Sequence, residues 1–403
     1  MFYVIINCLM YFFLLVTYRG KRKGLDFYKI ITLLYLLTAI CCALNYAQHP
    51  NIYPTLGFIP FLYIFVVLII LFQPLRGFDQ DKKELALFDN RAMMSFAWMY
   101  IILAFVDTST SITDAIERFQ SGEWGALRNQ LYEDADNIEL YANQWQRLVK
   151  NLLAYTRPFT FVYAFFSLTQ ERRSSIFIIL LFASIIVPSF ISATVVASRG
   201  MVFQLAMEIF FGYWMFKDFI SKSRKRFLLV GALLMSALFL FYSITVSISR
   251  FGEDEAGGSI FSYFGHSMLA FNDQMFYKMH DFAWGKRFFS WFIDAMGGNS
   301  TFDFAKAGST HGTAFFTIVG DIFCDWGHIV TIPIAITVSL LVRQFTQKKT
   351  LYFSDLIVIF FYIKTLSAGI FVIGKGQALN WLMMFIMYFI VRAMERRIKT
   401  YKK

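Results

Sequence analysis

Basic side chains stand at places in this sequence where apolar stretches would normally exclude them. Arg157, Arg199, Arg250 and Lys364 lie within or directly beside such stretches, and His311 stands at the start of another. The planar guanidinium of arginine donates two parallel hydrogen bonds to a phosphate and keeps its charge at physiological pH. An imidazole, which titrates near neutrality, can take a proton from a hydroxyl group. The set predicts a site that binds a phosphorylated substrate and activates a hydroxyl.

The same residues also have a structural interpretation. A charge at the centre of a membrane helix costs about 2.5–3.5 kcal/mol on insertion scales, and an internal ion pair can offset that cost. Lys364 would then pair with Asp321 or Asp325, and Arg157 with an acidic residue of the segment 107–151. A lone histidine is likewise more often a hydrogen-bonded interfacial residue than a catalyst.

The composition indicates an all-α, polytopic integral membrane protein. Of 403 residues, 57% are hydrophobic and 16% are charged, and the mean hydropathy is +0.53. Soluble domains have about 45–50% apolar and about 25% charged residues. These values exclude an ordinary globular enzyme and a disordered chain. The four cysteines form no CxxC or Cys/His cluster, so neither a disulfide framework nor a zinc site is predicted.

We expect a single membrane domain over residues 1–403, with about eleven transmembrane helices. Most of the apolar segments are close to the ~20 residues that a helix needs to cross the hydrocarbon layer. The segments are Met1–Tyr18, Tyr28–Ala47, Ile52–Gln73, Ala92–Val106, Leu152–Leu168, Ile176–Ala197, Met201–Phe216, Phe227–Ile248, Gly312–Val342, Leu351–Ile373 and Ala378–Val391. The ninth is too long for one straight helix, and Asp321 and Asp325 interrupt its first half.

The distribution of basic residues predicts the orientation. If the N-terminus is outside, most of the 38 lysines and arginines fall in inner loops, as the positive-inside rule requires. An odd number of crossings then leaves the C-terminus inside. Because the charges are scattered over several loops rather than gathered in one stripe, we predict no nucleic-acid partner. Anionic membrane lipids are their expected partners.

Two long loops fall on the outer side, at 107–151 and 249–311. Both are rich in apolar and aromatic residues, which argues against disorder. We expect amphipathic helices that lie at the membrane surface with their aromatic side chains at the level of the head groups. Examples of such residues are Ile112, Ile116, Phe119 and Trp124 in the first loop and Phe261, Met268, Phe271, Met275, Trp284 and Trp291 in the second.

Helix arithmetic places the basic residues near the outer boundary. Arg157 lies five residues into its segment, about 8 Å deep, and Pro158 disfavours helical geometry for Arg157. Arg199 occupies a three-residue turn in which Gly200 can adopt a positive φ. Lys364 lies about 20 Å from the inner start of its segment. Lys375 and His311 also mark outer ends, so we expect the cations to converge at one level.

Other motifs carry little chemistry. The acidic cluster 253–255 lacks further ligands, so it is read as a solvated loop and no metal or cofactor is predicted. Phosphate-binding loops, dinucleotide fingerprints, HExxH and GxSxG motifs are absent from the sequence.

Several of these features together resemble the bacterial O-antigen and capsule repeat-unit polymerases of the Wzy type. The resemblance covers nearly the whole chain in layout, including the large outer loop after the eighth segment. In residues it is confined to Ser198–Gly200, Arg250, His311–Phe316, Gly320–Asp321 and Asp325–Gly327. The related O-antigen ligases share the architecture, but they commonly have asparagine or serine beside the histidine, where this chain has glycine and threonine.

The resemblance implies a metal-independent glycosyltransferase at the periplasmic face of the bacterial cytoplasmic membrane. Such an enzyme polymerises undecaprenyl-pyrophosphate-linked repeat units, with a chain-length regulator protein as a further candidate partner. Carried onto this sequence, Arg199 and Arg250 match the residues that hold the pyrophosphate, and His311 matches the residue that assists the acceptor hydroxyl. Arg157, Lys364 and Lys375 are added as substrate-binding candidates from their position and charge. A ligase and a non-enzymatic flippase or transporter of lipid-linked sugars are the alternatives.

Overall fold

A computed structural model of the chain describes residues 1–18, 25–76, 78, 84–86, 91–122, 144–196, 198–251, 258–309 and 316–401. The structure is 80% helical, which confirms the all-α class. The only regular exception in the described part is a two-stranded sheet of β1 (Glu84–Ala86) and β2 (Thr350–Tyr352).

Thirteen α-helices are numbered here in chain order within the described residues. They are α1 (Phe2–Thr17), α2 (Phe27–Gln48), α3 (Phe58–Phe72), α4 (Arg91–Ser121), α5 (Gln144–Thr169), α6 (Ser175–Val195), α7 (Arg199–Phe216), α8 (Lys222–Phe251), α9 (Gly258–Ala270), α10 (Ser290–Ala295), α11 (Thr317–Thr346), α12 (Phe353–Ala368) and α13 (Gln377–Tyr401). A π-helical turn, Phe271–Met275, continues α9.

Six of the helices in the described ranges are long and apolar enough to cross a membrane. They are α2, α3 with its extension to Leu75, α4, α6, α11 and the portion of α13 up to Glu395. The chain is therefore a helical membrane protein. Helices α5, α7 and α12 are not among the six, and these three carry the candidate residues Arg157, Arg199 and Lys364.

The chain divides into two compact units, each built from separate stretches of sequence. Unit 1 contains Met1–Leu85, Gly257–Leu351 and Thr365–Met383. Unit 2 contains Ala86–Ala256, Tyr352–Lys364 and Met384–Lys403. Among the predicted site residues, Arg157, Arg199, Arg250 and Lys364 fall in unit 2, whereas Lys375 falls in unit 1; His311 lies outside the described ranges.

Helix α9, in the second long loop, is packed within unit 1. It lies against α2, and Met268, Phe271 and Met275 are completely buried. The expectation of a helix lying on the membrane surface is therefore wrong for α9 and its π-helical turn, whereas Trp284 and Trp291 of the same loop are exposed. The close approach depends on Gly265, because a Cβ at that position would lie 2.5 Å from the backbone of Cys41.

The ninth predicted segment corresponds to α11, which is broken at Gly327. The backbone of Gly327 has φ 71° and ψ −174°, a conformation that favours glycine. The predicted interruption is therefore confirmed, and the break follows Asp321 and Asp325 along the chain. Pro333 lies in the part of α11 after the break.

In unit 2, α4 and α5 pair as antiparallel helices with a regular register. Ser111 accepts a hydrogen bond from Gln146 at 3.0 Å, and the carboxylate of Asp107 lies 3.5 Å from the amine of Lys150. A step of four residues back along α4 thus matches four residues forward along α5. Helix α4 continues to Ser121, so the start of the first long loop extends a predicted crossing. Residues 123–143, which include Trp124, lie outside the described ranges.

Two local expectations in unit 2 are wrong. Pro158 lies inside α5, so Arg157 is helical despite the proline that follows it. The residues from Pro158 to Leu168 are all buried, and this packing offsets the backbone hydrogen bond that proline cannot donate. Gly200 is also helical, because α7 begins at Arg199 and Ser198 caps it.

The contact between α9 and α2 gives a stability prediction. Replacing Gly265 with Ala should destabilise the protein by about 1–3 kcal/mol, because the methyl group meets backbone atoms that cannot turn aside. Thermal unfolding of the purified protein in detergent measures the change. Gly231→Ala in α8 is the matched control, since a Cβ there has no neighbour within 4 Å; equal unfolding temperatures for both variants would contradict the assigned packing.

Candidate functional site

Basic side chains surround the last turn of α6 in unit 2. Arg118 of α4 donates through Nη1 to the carbonyl oxygen of Val195 at 2.6 Å. Nζ of Lys150 on α5 lies 3.5 Å from Oγ of Ser192 and 3.5 Å from the carboxylate of Asp107. The last carbonyl groups of a helix carry partial negative charge, which favours cations there. Arg118 and Lys150 are thus compensated by structural partners.

Arg199 opens α7 immediately after this turn. Oγ of Ser198 accepts a hydrogen bond from the backbone N–H of Met201 at 3.4 Å, so the serine caps the helix. The first turn of a helix carries partial positive charge and favours anions. The guanidinium group of Arg199 adds a full positive charge at this helix end.

Arg199 also reaches the neighbouring helix α8. Its Nη1 donates to Oγ of Ser247 at 2.6 Å, and the residue is only 8% exposed. Position 250 follows Ser247 by three residues, and residues three apart lie on the same side of a helix. The contact therefore brings Arg199 to the turn of α8 that carries Arg250. The side chain of Arg250 and the whole of His311 lie outside the described part of the chain.

Arg157 and Lys364 meet at a carboxylate deeper in unit 2. Nε and Nη2 of Arg157 lie 2.9 and 2.8 Å from Oε2 of Glu208, and Nζ of Lys364 lies 3.1 Å from Oε1. Glu208 is 1% exposed, whereas the side chains of Arg157 and Lys364 are 18% and 20% exposed. Two cations thus share one buried acid, contributed by α7.

The predicted convergence at one level is wrong, because Arg157 and Lys364 meet at a point on α7 that is distant from Arg199. Glu208 follows Arg199 by nine residues on α7, which is about 13.5 Å along the axis and half a turn around it. Arg157 lies thirteen residues after the start of α5, about 20 Å along that helix, because α5 begins at Gln144 rather than at Leu152. Arg157 and Lys364 therefore converge with each other, apart from Arg199.

Sequence reasoning missed Glu208. The pairing of Lys364 with Asp321 or Asp325 is wrong, because Lys364 binds the carboxylate of Glu208 on α7. Arg157 binds the same carboxylate; most acids of the first long loop, its expected partners, lie outside the described ranges. A usable signal was present: within the predicted segment Met201–Phe216, Glu208 is the single charged residue. An ionisable residue inside an apolar segment indicates a pairing or functional role by itself.

A second ionic cluster lies in unit 1, around Asp321 of α11. The Asp321 carboxylate accepts hydrogen bonds from Nη2 of Arg287 at 2.9 Å and from the backbone N–H groups of Ile373 and Gly374 at 2.6 and 3.3 Å. Asp325, one turn later, accepts from the backbone N–H of Arg287 at 3.0 Å. The two acids of α11 therefore hold the second long loop and the segment between α12 and α13.

Arg287 connects the parts of this cluster through its side chain, its N–H and its carbonyl oxygen. Burial alone would lower the pKa of its guanidinium group, but the neighbouring Asp321 reverses the effect and the pKa is raised. Its carbonyl oxygen accepts a hydrogen bond from the N–H of Gly376 at 2.8 Å. The side chain and N–H of Arg287 thus bind α11, and its carbonyl oxygen binds the segment between α12 and α13.

Lys375 lies in the turn that this cluster supports. It is exposed and stands between Gly374 and Gly376, both with φ 79°. Asp321 holds the turn before Lys375 and Arg287 holds it after, so the turn is fixed on both sides while its lysine projects outward. Among the described residues, no three His, Cys, Asp or Glu side chains are grouped as ligands for a metal ion.

The ionic cluster of unit 1 gives a second stability prediction. Replacing Asp321 with Asn should cost about 1.5–3 kcal/mol, since the largely buried Arg287 would lose its charged acceptor while the amide keeps one oxygen. Thermal unfolding in detergent is again the measurement. Asp303→Asn removes an exposed partner of Lys306 and should leave the unfolding temperature unchanged; a similar loss in both variants would contradict the role of Asp321.

Comparison of the chain with protein-family models, with curated proteins and with solved structures found no match.

Proposed function

We propose that the chain is a polysaccharide polymerase of the bacterial cytoplasmic membrane. It would cross the membrane about eleven times, with its N-terminus outside and its C-terminus inside. At the periplasmic face it would transfer a growing glycan from one undecaprenyl pyrophosphate to a hydroxyl of the next lipid-linked repeat unit. The proposal rests on the contact of Arg199 with Ser247, which brings Arg199 to the α8 turn of Arg250.

The proposed chemistry is an inter-glycan transfer. The acceptor hydroxyl attacks the anomeric carbon of the donor, and the C1–O bond to the diphosphate breaks as the new C1–O bond forms. Undecaprenyl pyrophosphate leaves with the bonding electrons, and the hydroxyl proton passes to a general base, for which His311 is the candidate. Negative charge grows on the departing diphosphate, and guanidinium groups in a poorly hydrated site stabilise that charge most in the transition state.

A transporter of lipid-linked sugars is the second candidate, because one observation favours it. Glu208 is the tenth of the eighteen residues of α7, so its cluster with Arg157 and Lys364 lies near the middle of that helix. Transporters bind substrates near the bilayer midplane, beside interrupted helices. Pro158 lies one residue after Arg157 in α5, which provides a point where that helix can bend.

Glycan analysis of a deletion strain separates the candidates. Loss of a polymerase should leave single repeat units at the outer face in place of a ladder. Loss of a transporter should retain the lipid-linked units on the inner face, and loss of a ligase should release polymer that is not attached to the lipid core. A ladder of normal length in the deletion strain would overturn the polymerase proposal.

The role of Arg199 gives a direct test. Arg199→Ala, expressed in the deletion strain, should abolish the ladder while the protein still inserts, because the diphosphate loses a bidentate donor. Arg199→Lys should restore little polymer, since an ammonium group lacks the planar fork. The readouts are gel analysis of the glycan and immunoblotting of the membrane fraction. Arg172→Ala is the control, because Arg172 is exposed in a predicted inner loop; normal ladders in all three variants would exclude the assigned role.

A further inference from the structure

The buried cluster of Arg157, Glu208 and Lys364 has unequal charges. Arg157 and Lys364 supply two positive charges, and Glu208 supplies one negative charge. Asp107, another buried acid of unit 2, is paired with Lys150. The charges of the three side chains in the cluster therefore sum to one positive charge.

The two cations are the accessible side of this cluster. Glu208 is 1% exposed, whereas Arg157 and Lys364 keep about a fifth of their side-chain surface exposed. Nε and Nη2 of Arg157 both lie within hydrogen-bonding distance of the single oxygen Oε2 of Glu208. The same edge of the guanidinium group can donate two parallel hydrogen bonds to two oxygens of a phosphate. An incoming anion would thus meet the cations first and compete with the carboxylate for their donors.

Glu208 also has a partner of its own on α7. Nε2 of Gln204, one turn earlier, lies 3.4 Å from Oε1 of Glu208. A carboxylate that gives up Arg157 and Lys364 would keep this amide donor, so its release from the cations would not leave it without a hydrogen bond. The geometry therefore allows an incoming anion to replace the Glu208 carboxylate as the partner of Arg157 and Lys364.

We propose that Glu208 is a resident counter-anion, whose carboxylate occupies the place between Arg157 and Lys364 that a diphosphate takes when substrate binds. The assignment rests on the proposed function for the identity of the ligand, the diphosphate of a lipid-linked glycan. In the empty protein Glu208 permits two cations to be buried. When the ligand of this cluster departs, the returning carboxylate competes for the two cations and speeds its release.

Binding of inorganic pyrophosphate to the purified full-length protein in detergent tests the exchange. The measurement is the unfolding temperature as a function of pyrophosphate concentration, which yields an apparent dissociation constant. Glu208→Gln removes the competing charge and should tighten pyrophosphate binding by about tenfold or more. Arg157→Gln and Lys364→Met should each lose the response. Asp107→Asn, which neutralises another buried acid of unit 2, should respond like the unchanged protein.

The outcomes decide between exchange and a purely structural ion pair. Equal or weaker binding in Glu208→Gln would overturn the proposal, and so would equal tightening in Asp107→Asn, which would indicate a general effect of net charge. If Glu208→Gln folds poorly, pyrophosphate present during purification should restore its yield; failure to do so would also overturn it. Glu208→Asp, which withdraws the carboxylate by one methylene, should give intermediate tightening.

The binding assay does not depend on glycan polymerisation. Suppose that the deletion strain loses the ladder and that Glu208→Gln binds pyrophosphate like the unchanged protein. These results would overturn the assignment of Glu208 and leave the polymerase proposal intact. Suppose instead that the deletion strain keeps the ladder and that Glu208→Gln binds pyrophosphate more tightly. These results would overturn the polymerase proposal and leave an anion-exchange site that serves another function.

Discussion

Ionised side chains can be buried among apolar helices only where opposite charges or hydrogen bonds compensate them, and this constraint organises unit 2. The carboxylate of Glu208 binds both Arg157 and Lys364, so one acid on α7 joins α5 and α12. These helices are also outside the six strongly apolar spans of the described chain. Apolar residues of similar volume would often be as stabilising as such a cluster. Stability alone therefore does not explain the three charges, whose presence supports the proposed substrate-binding role of Arg157 and Lys364.

The same constraint acts differently in unit 1, where it fixes loops rather than helices. Asp321 and Asp325 lie one turn apart on α11 and bind the side chain and the N–H of Arg287. Because the Asp321 carboxylate also accepts two backbone N–H groups before Lys375, the ion pair defines the turn on which that lysine stands. The segment between α12 and α13, which contains no helix, thus presents the exposed Lys375 from a fixed backbone position.

The sequence predicted the all-α class and the approximate positions of most described helices, because these follow from local hydropathy. Six of the described helices are long and apolar enough to cross a membrane. The sequence did not predict Glu208 as the shared partner, since pairing depends on which helices are neighbours in space. The burial of α9 depends on Gly265 meeting the backbone of Cys41, a contact between residues more than two hundred positions apart. At Pro158 a local sequence preference gave the wrong prediction. Proline disfavours a helix, but the packing around α5 overrides that preference.

An enzyme that transfers glycans repeatedly must bind a diphosphate firmly and release it after each transfer. Uncompensated cations would satisfy the first requirement and obstruct the second, and they would also be costly to insert into the membrane while empty. A carboxylate that neutralises half of the positive charge, as Glu208 does for Arg157 and Lys364, reconciles the requirements. A transporter needs the same balance, so this cluster alone does not favour one activity. Arg199 supports the proposed polymerase. It lies at the start of α7 and donates to Ser247 of α8, and a cation at a helix end would suit a head group held at the membrane boundary, where an acceptor hydroxyl could also approach.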